Sequence, residues 1–363
     1  MIKKHNFGAG PCILPASVLE KAASAVINWE QTGLSILEIS HRSKEFENVI
    51  DRTEQLVKDL LKVPDDYAVL FLQGGASTQF SMLALSFLKQ KASYLDTGFF
   101  AQKAIKEARL FGEVEIVSSS REANYNYIPQ KYEVSHSSSY LHLTSNNTIE
   151  GTEIFDFPEI KIPLICDMSS DIFSRVINVS QFDLIYAGAQ KNMGPAGMTL
   201  VIAKNSFLES AKNLIPSMSD YRILRDSKSM YNTPPVFSIY ASMLNLEWLR
   251  DLGGVEEIEK MNIEKARLLY HELDHSKIFQ PTVRGASRSR MNVTFTARDP
   301  KVESGFLIFA ADKGVIGISG YRTVGGFRVS LYNALPLESV EELVSLMKQY
   351  EQIIVGEASS VIN

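Results

Sequence analysis

The chain has 363 residues, 45% of them hydrophobic and 22% charged, with a formal net charge of -5. Such a composition builds an ordinary globular protein with a sizeable core, one large domain plus a smaller one. The acidic balance gives no electrostatic reason to expect a nucleic-acid partner or an anionic membrane. Two cysteines, Cys12 and Cys166, are too few for a disulfide framework, and Cys166 sits in an apolar run as a small buried hydrophobe. No run reaches about 18 apolar residues, and the first seven residues lack the apolar core of a signal peptide. The expected location is cytoplasmic.

In chain order, apolar residues recur at helical spacing over residues 16–30 and 44–61. Residues 67–72 read as a strand, and a helix is predicted over 78–89. A strand over 91–95, a helix over 101–111 and a strand over 114–117 follow. Four more strands are predicted at 140–143, 164–166, 184–186 and 199–203. Strands alternating with helices predict an α/β fold with a mostly parallel sheet covered by helices. Ligands of such sheets sit beyond the carboxyl ends of the strands, where Gly74, Asp167 and Lys191 all fall. Long helices are predicted over 235–251 and 255–273. The remainder reads strand (291–295), helix (301–313), strand (327–330), helix (337–350), a smaller mixed α/β unit.

The stretch Leu184-Ile-Tyr-Ala-Gly-Ala-Gln-Lys-Asn-Met-Gly-Pro-Ala-Gly197 places Lys191 in a loop between two apolar, strand-like runs. An amine held in such a pocket loses water, its pKa falls, and it becomes a nucleophile toward carbonyls. Upstream, the apolar run of residues 162–166 ends at Asp167. A strand-end Asp followed by a loop Lys is the pairing that pyridoxal phosphate enzymes use: the Lys carries the cofactor, and the Asp keeps the pyridine nitrogen protonated. The segment Gln73-Gly-Gly-Ala-Ser-Thr-Gln-Phe80 follows a strand and opens a helix, so free N–H groups and glycine backbone suit a phosphate. A plain strand–helix turn with a serine cap has the same pattern. Fixed positive charges for carboxylate and phosphate come from Arg42, Arg322 and Arg328, residue types that more often lie solvated on a surface.

With the motifs Asn6-Phe-Gly-Ala-Gly-Pro11, His41-Arg42-Ser43, Gly74-Gly-Ala-Ser77, Tyr231-Asn-Thr-Pro-Pro235 and Gly320-Tyr-Arg-Thr-Val-Gly-Gly-Phe-Arg328 added to these, the chain resembles the phosphoserine aminotransferase family from end to end. That family lies among the class V aminotransferases and fold-type-I pyridoxal phosphate enzymes. The resemblance implies a large domain (16–255) with a mostly parallel seven-stranded sheet, and a smaller α/β domain built from 1–15 and 256–363. It implies cofactor contacts at Ala76, Ser77, Phe100, Thr148, Asp167, Gln190, Lys191, Asn232 and Thr233. Phe100 would stack on the pyridine ring, with Phe99 the neighbouring alternative. Thr148 would bond the phenolic oxygen, and Ala76, Ser77 and Gln190 the phosphate. Asn232 and Thr233 would reach the phosphate of a second subunit, which implies a homodimer with its sites at the interface. Arg328 would clamp the α-carboxylate, while His41, Arg42, Tyr321 and Arg322 would surround the distal phosphate. Two positions depart from the pattern: Ser77 stands where some relatives carry Arg, and Tyr321 where many carry His. A phenol donates one hydrogen bond but has no positive charge at neutral pH.

The implied reaction moves an amino group from L-glutamate to 3-phosphohydroxypyruvate, giving O-phosphoserine and 2-oxoglutarate in serine biosynthesis by ping-pong kinetics. The family also handles 4-phosphohydroxythreonine in pyridoxine biosynthesis. Another class V aminotransferase, such as the alanine–glyoxylate type, is the alternative. A cysteine desulfurase needs a cysteine after the lysine, and this chain has none beyond Cys166. A cofactor-free interaction protein on the same scaffold has no use for Lys191 and Asp167 together.

Overall fold

A computed structural model describes residues 4–322 and 324–361, the last five as backbone only. Residues 1–3, 323 and 362–363 of the expected small domain lie outside the described residues. The chain opens with β1 (His5–Asn6), α1 (Ala16–Ile27) and α2 (Lys44–Leu61). An alternating series follows: β2 (Tyr67–Leu72), α3 (Gly75–Phe87), β3 (Lys91–Asp96), α4 (Phe99–Ala108), β4 (Glu113–Ser119) and β5 (Leu141–Thr144). Next come the small pair β6 (Asn146–Asn147) and β7 (Thr152–Glu153), then β8 (Leu164–Asp167), β9 (Leu184–Gly188) and β10 (Thr199–Lys204). Short helices α5 (Asn205–Glu209) and α6 (Tyr221–Asp226) lead into α7 (Val236–Asp251) and α8 (Gly254–His275). The chain closes with β11 (Phe279–Pro281), β12 (Asn292–Ala297), α9 (Lys301–Asp312), β13 (Val315–Ile316), β14 (Phe327–Ser330) and α10 (Leu337–Val361).

Seven strands form one sheet in the order β2-β10-β9-β8-β5-β3-β4. All neighbours pair parallel except β10, which runs antiparallel to both β2 and β9. Both faces are covered, so the central strands are buried along their whole length, as in Leu184–Gly188. The period of two sorts their side chains. Val69, Phe71, Leu143, Cys166, Ile185 and Ile202 pack into one cluster, while Leu70, Leu72, Tyr94, Ile165, Tyr186 and Val201 pack into a second on the other face. A third cluster gathers Phe7 with residues from α8, α9, β12, β14 and α10. There β11, β12 and β14 form a three-stranded antiparallel sheet, and β1 pairs parallel with β13. Helix α8 serves two cores. Val255 and Ile258 pack with the large sheet, and Ala266, Leu269 and Leu273 pack in the third cluster.

The main helices and strands agree with the periodicity, but several ends move. The helix expected over 16–30 stops at Ile27, because Asn28 is extended and Glu30 and Gln31 take left-handed φ values of 45° and 61°. Helix α3 starts at Gly75 rather than residue 78, since Gly74 is its cap with φ 92°. Strands β1, β6, β7, β11 and β13 have only two or three residues, too short for any period to register.

Gly74 is required by space as well as by φ. A Cβ there would lie 2.1 Å from Thr78 Oγ1, the hydroxyl that donates to the Gly74 carbonyl at 2.9 Å. Gly74→Ala should therefore cost about 1–3 kcal/mol of stability. The control Gly285→Ala meets open space and should be near neutral. Equal melting temperatures for the two variants would contradict this account.

Candidate active site

Strand β9 delivers Lys191 through a turn wound on one carbonyl. Ala189 O accepts the N–H groups of Lys191 (2.8 Å), Met193 (3.2 Å) and Gly194 (2.8 Å). The half-buried lysine then extends to Thr148, to which its Nζ donates at 2.6 Å. Nζ also lies 5.5 Å from the centre of the Phe100 ring. Burial pulls the amine down from its ordinary range to about 8, helped by the Arg328 charge and opposed by Asp167 and Asp171. Of the two candidate aromatic rings, Phe100 is the one beside the lysine on its own account, while Phe99 packs on Tyr321 at 5.4 Å.

Asp167 ends β8, between β5 and β9, and is 4% exposed. Its Oδ1 accepts the Ser169 N–H at 2.9 Å. Burial raises its pKa, against the hydrogen bonds from Ser169 and the charge of Lys191. Ser169 Oγ in turn accepts the Gly188 N–H at 3.1 Å, tying the turn after β8 to the end of β9. Behind lies a buried ion cluster. Arg175 meets Asp171 at 3.1 Å and Glu153 at 3.2 Å, and Ser145 donates its hydroxyl to Asp171.

The N-terminus of α3 leaves its first-turn N–H groups without partners inside the helix, at Ala76 and the exposed Ser77 among others. Gln73, just before it, donates to the Thr233 carbonyl at 2.9 Å. Gln73, Gly74 and Asn232 line a cavity of about 310 Å³. Gln190 precedes the lysine, and its carbonyl accepts the Cys12 N–H at 3.1 Å. A second cavity, about 630 Å³, is lined by Phe99, Glu150, Tyr321 and Arg328. There the Nε of Arg328 is buried and finds no hydrogen-bond acceptor among the described residues. A larger cavity of about 1350 Å³ lies between residues 128–137 and 154–162 and contains none of these groups.

The chain thus brings together Lys191, Thr148, Phe100, Asp167 and Arg328, and sets Tyr321 beside Arg328 at 5.9 Å. It leaves Arg322 exposed. His41 and Arg42 sit at the turn before α2, where Arg42 is exposed and His41 Nε2 is buried without a partner among the described residues. No hydrogen bond, ion pair or ring contact among the described residues joins either to the lysine loop. Asn232 and Thr233 are exposed in the loop before α7.

Residues 4–343 match the family model described as Aminotransferase class-V. The chain belongs to this family. This class-V aminotransferase is 54% identical over 354 residues to the phosphoserine aminotransferase of Azobacteroides pseudotrichonymphae, a match covering 97% of the chain and 99% of the relative. Among solved structures, it superposes on the phosphoserine aminotransferase from Bacillus circulans subsp. alkalophilus with TM-score 0.95 and 42% identity, covering 96% and 99% of the two chains. The phosphoserine aminotransferase from Trichomonas vaginalis, solved with pyridoxal phosphate bound, gives TM-score 0.90 at 35% identity, covering 95% and 100%.

Several groups around the site of this class-V aminotransferase carry no signal in the sequence. Ser145, Ser169 and Asn192 are small polar residues in loops, and only the fold puts Ser145 against Asp167, Ser169 against Gly188 and Asn192 against Asn333. Glu150 is a further one: its Oε1 accepts the Phe99 N–H at 2.8 Å, fastening the Thr148 loop to the start of α4. Burial pushes its carboxyl up to about 7.

The depressed lysine yields a pH test. In apoprotein, reductive trapping of a carbonyl at Lys191 should follow the free amine and rise with a midpoint near pH 8. Exposed lysines should react with a midpoint near the ordinary value of about 10.4. Peptide mass analysis after borohydride reduction reads both, and indistinguishable midpoints would remove the case for a desolvated Lys191.

Proposed function

We propose that this protein transfers the amino group of L-glutamate to 3-phosphohydroxypyruvate, with pyridoxal phosphate held on Lys191. The observation that carries the reading is the convergence on one amine: Lys191 Nζ, shifted to about 8, lies 2.6 Å from Thr148 Oγ1 and beside the Phe100 ring. The residues fit the group. An amine with a lowered pKa suits an aldehyde, a buried carboxylate suits a protonated ring nitrogen, and first-turn N–H groups of α3 suit a phosphate. The alanine–glyoxylate alternative is not favoured, since full-length relatives at 51–54% identity are named phosphoserine aminotransferases.

When bound, the cofactor supplies an electron sink for the substrate's Cα. The chain supplies the rest. Lys191 Nζ takes the Cα proton and returns it. Asp167 would hold the pyridine nitrogen protonated, and that cation would offset the burial that raises this carboxyl. Phe100 would stack on the ring, and Thr148 would offer its hydroxyl to the phenolic oxygen. Arg328, with a free buried Nε, orients the carboxylate that donor and acceptor share.

The proposal extends to a homodimer. Asn232 and Thr233 are exposed, as are Arg42 and the apolar side chains Ile27, Leu34 and Leu37 in the segment leading to it. A second subunit would cover these groups and bring Arg42 to the neighbouring site, where it and Arg322 would meet the acceptor's phosphate. Within each subunit, the third apolar cluster supports a division into 16–255 against 1–15 with 256–363. Among the described residues no helix is long and apolar enough to cross a membrane. That agrees with the cytoplasmic location we propose.

Steady-state rates with glutamate and the phosphorylated oxoacid test the proposal, and absence of turnover would end it. Asp167→Asn should lower kcat by several orders of magnitude without unfolding; a loss under about tenfold would remove the ring-nitrogen role. Arg328→Ala should cost about 2–4 kcal/mol in kcat/KM with phosphohydroxypyruvate and hydroxypyruvate alike. Arg322→Ala should lower the phosphorylated acceptor's kcat/KM far more than the unphosphorylated one's. Parallel losses for both acceptors in both variants would refute this division between the two arginines.

A further inference from the structure

Lys265 is 1% exposed, yet it pairs with no carboxylate among the described residues. Its Nζ donates to three backbone carbonyls, Leu331 and Tyr332 at 2.9 Å and Leu335 at 3.2 Å. Only an ammonium has three hydrogens to give. Burial alone pushes this amine down to about 7, with no charged group opposing it. Burying a cation without a counter-ion is costly, and an apolar side chain of the same length would avoid that cost. What the ammonium provides is an anchor for the five residues from Leu331 to Leu335, which join β14 to α10.

That segment touches the active site at three points. At one end it continues β14, which carries Arg328. In its middle, the Asn333 N–H donates to Asn192 Oδ1 at 3.0 Å, on the residue next to Lys191. Asn192 is itself fixed, donating to the Ser170 carbonyl at 3.1 Å while its own carbonyl accepts from Asn245 at 3.0 Å. The Tyr332 hydroxyl donates to the Ala9 carbonyl at 3.0 Å. The adjoining Gly10 borders the lysine: a Cβ there would stand in ordinary contact with Lys191 Cγ, at 3.5 Å. One turn before Lys265, Asn262 donates to Asn333 Oδ1 at 2.9 Å and to the Ser174 carbonyl at 3.0 Å. Both residues lie where α8 passes from one core to the other.

We propose that Lys265 is a positioning residue of the active site: through the segment 331–335 it sets the placement of Arg328 relative to Lys191. It touches neither substrate nor cofactor. The inference rests on the roles proposed above for Arg328 and Lys191.

The test uses the holoenzyme and the variant Lys265→Met, which keeps the length and removes all three donors. KM for L-glutamate should rise at least tenfold while kcat falls less than threefold, because the carboxylate clamp is displaced and the chemistry is not. The visible absorbance of the bound cofactor supplies a second readout. The Arg328 charge disfavours protonation at the Lys191 position, so a displaced Arg328 should move the pH midpoint of that absorbance upward. A folded Lys265→Met with a lower melting temperature but wild-type KM and midpoint would overturn the proposal and leave Lys265 a purely structural lysine. Should Lys265→Met not fold, Asn192→Ala decides. It breaks the joint next to Lys191 and leaves the three carbonyl bonds intact, and it should shift the same midpoint; a wild-type midpoint there would overturn the proposal too. Failure of the wild-type holoenzyme to turn over glutamate, or to trap cofactor on Lys191, would instead sink the function proposed above.

Discussion

Withholding water from one amine is the constraint on which this structure depends. The nucleophilic role proposed for Lys191 relies on burial lowering its pKa, and burial also raises the carboxyl of Asp167 nearby. Burial disfavours the charged form of each, and the mutual attraction of the pair restrains both shifts. The surroundings keep that balance. Thr148 gives the amine a hydroxyl, Ser169 gives the carboxylate an N–H, and Arg328 adds positive potential. None of these groups could hold position on a mobile surface. Thr148, Asp167, Ser169 and Lys191 all lie at or after the ends of strands of the large sheet, which is buried on both faces, while Arg328 comes from β14 of the small antiparallel sheet.

The charged pair of the candidate site was more legible in the sequence than the residues that support it. Lys191 and Asp167 announced themselves because charged residues at the ends of buried apolar runs are rare. Gly74 was visible for a related reason: a glycine pair between a strand and a helix has few uses. Support residues offered no such contrast. Asn192, Ser169 and Ser145 are ordinary loop residues whose value lies in partners far away in the chain. Lys265 was hidden most completely, since a lysine in an amphipathic helix is normally solvated. Arg42 and Arg322 illustrate the opposite limit. Their motifs were readable, yet one chain leaves them exposed.

Element ends were misread where local geometry outweighed periodicity. The first helix was expected to continue to Glu30, whose own left-handed backbone forbids it. The two-residue strands β6 and β7 carry no pattern at all, but they bracket Thr148 and Glu150 and so shape the loop that meets the lysine. Periodicity reports burial averaged over several residues, and a site is built from single residues placed individually.

The reversed strand β10 has a consequence for how the chain comes to be folded. Strand β2 borders only β10 in the sheet, so residues 67–72 have no ladder partner until residues 199–204 have been made. At ribosomal speeds that wait is on the order of ten seconds. Throughout it, the segment Tyr-Ala-Val-Leu-Phe-Leu is a fully apolar strand with an open edge, the kind of surface that recruits other nascent chains. Its early neighbour α2 can cover a face but not the edge. The pairing that completes the sheet beside the lysine loop thus also sets how long that edge stays open on the emerging chain.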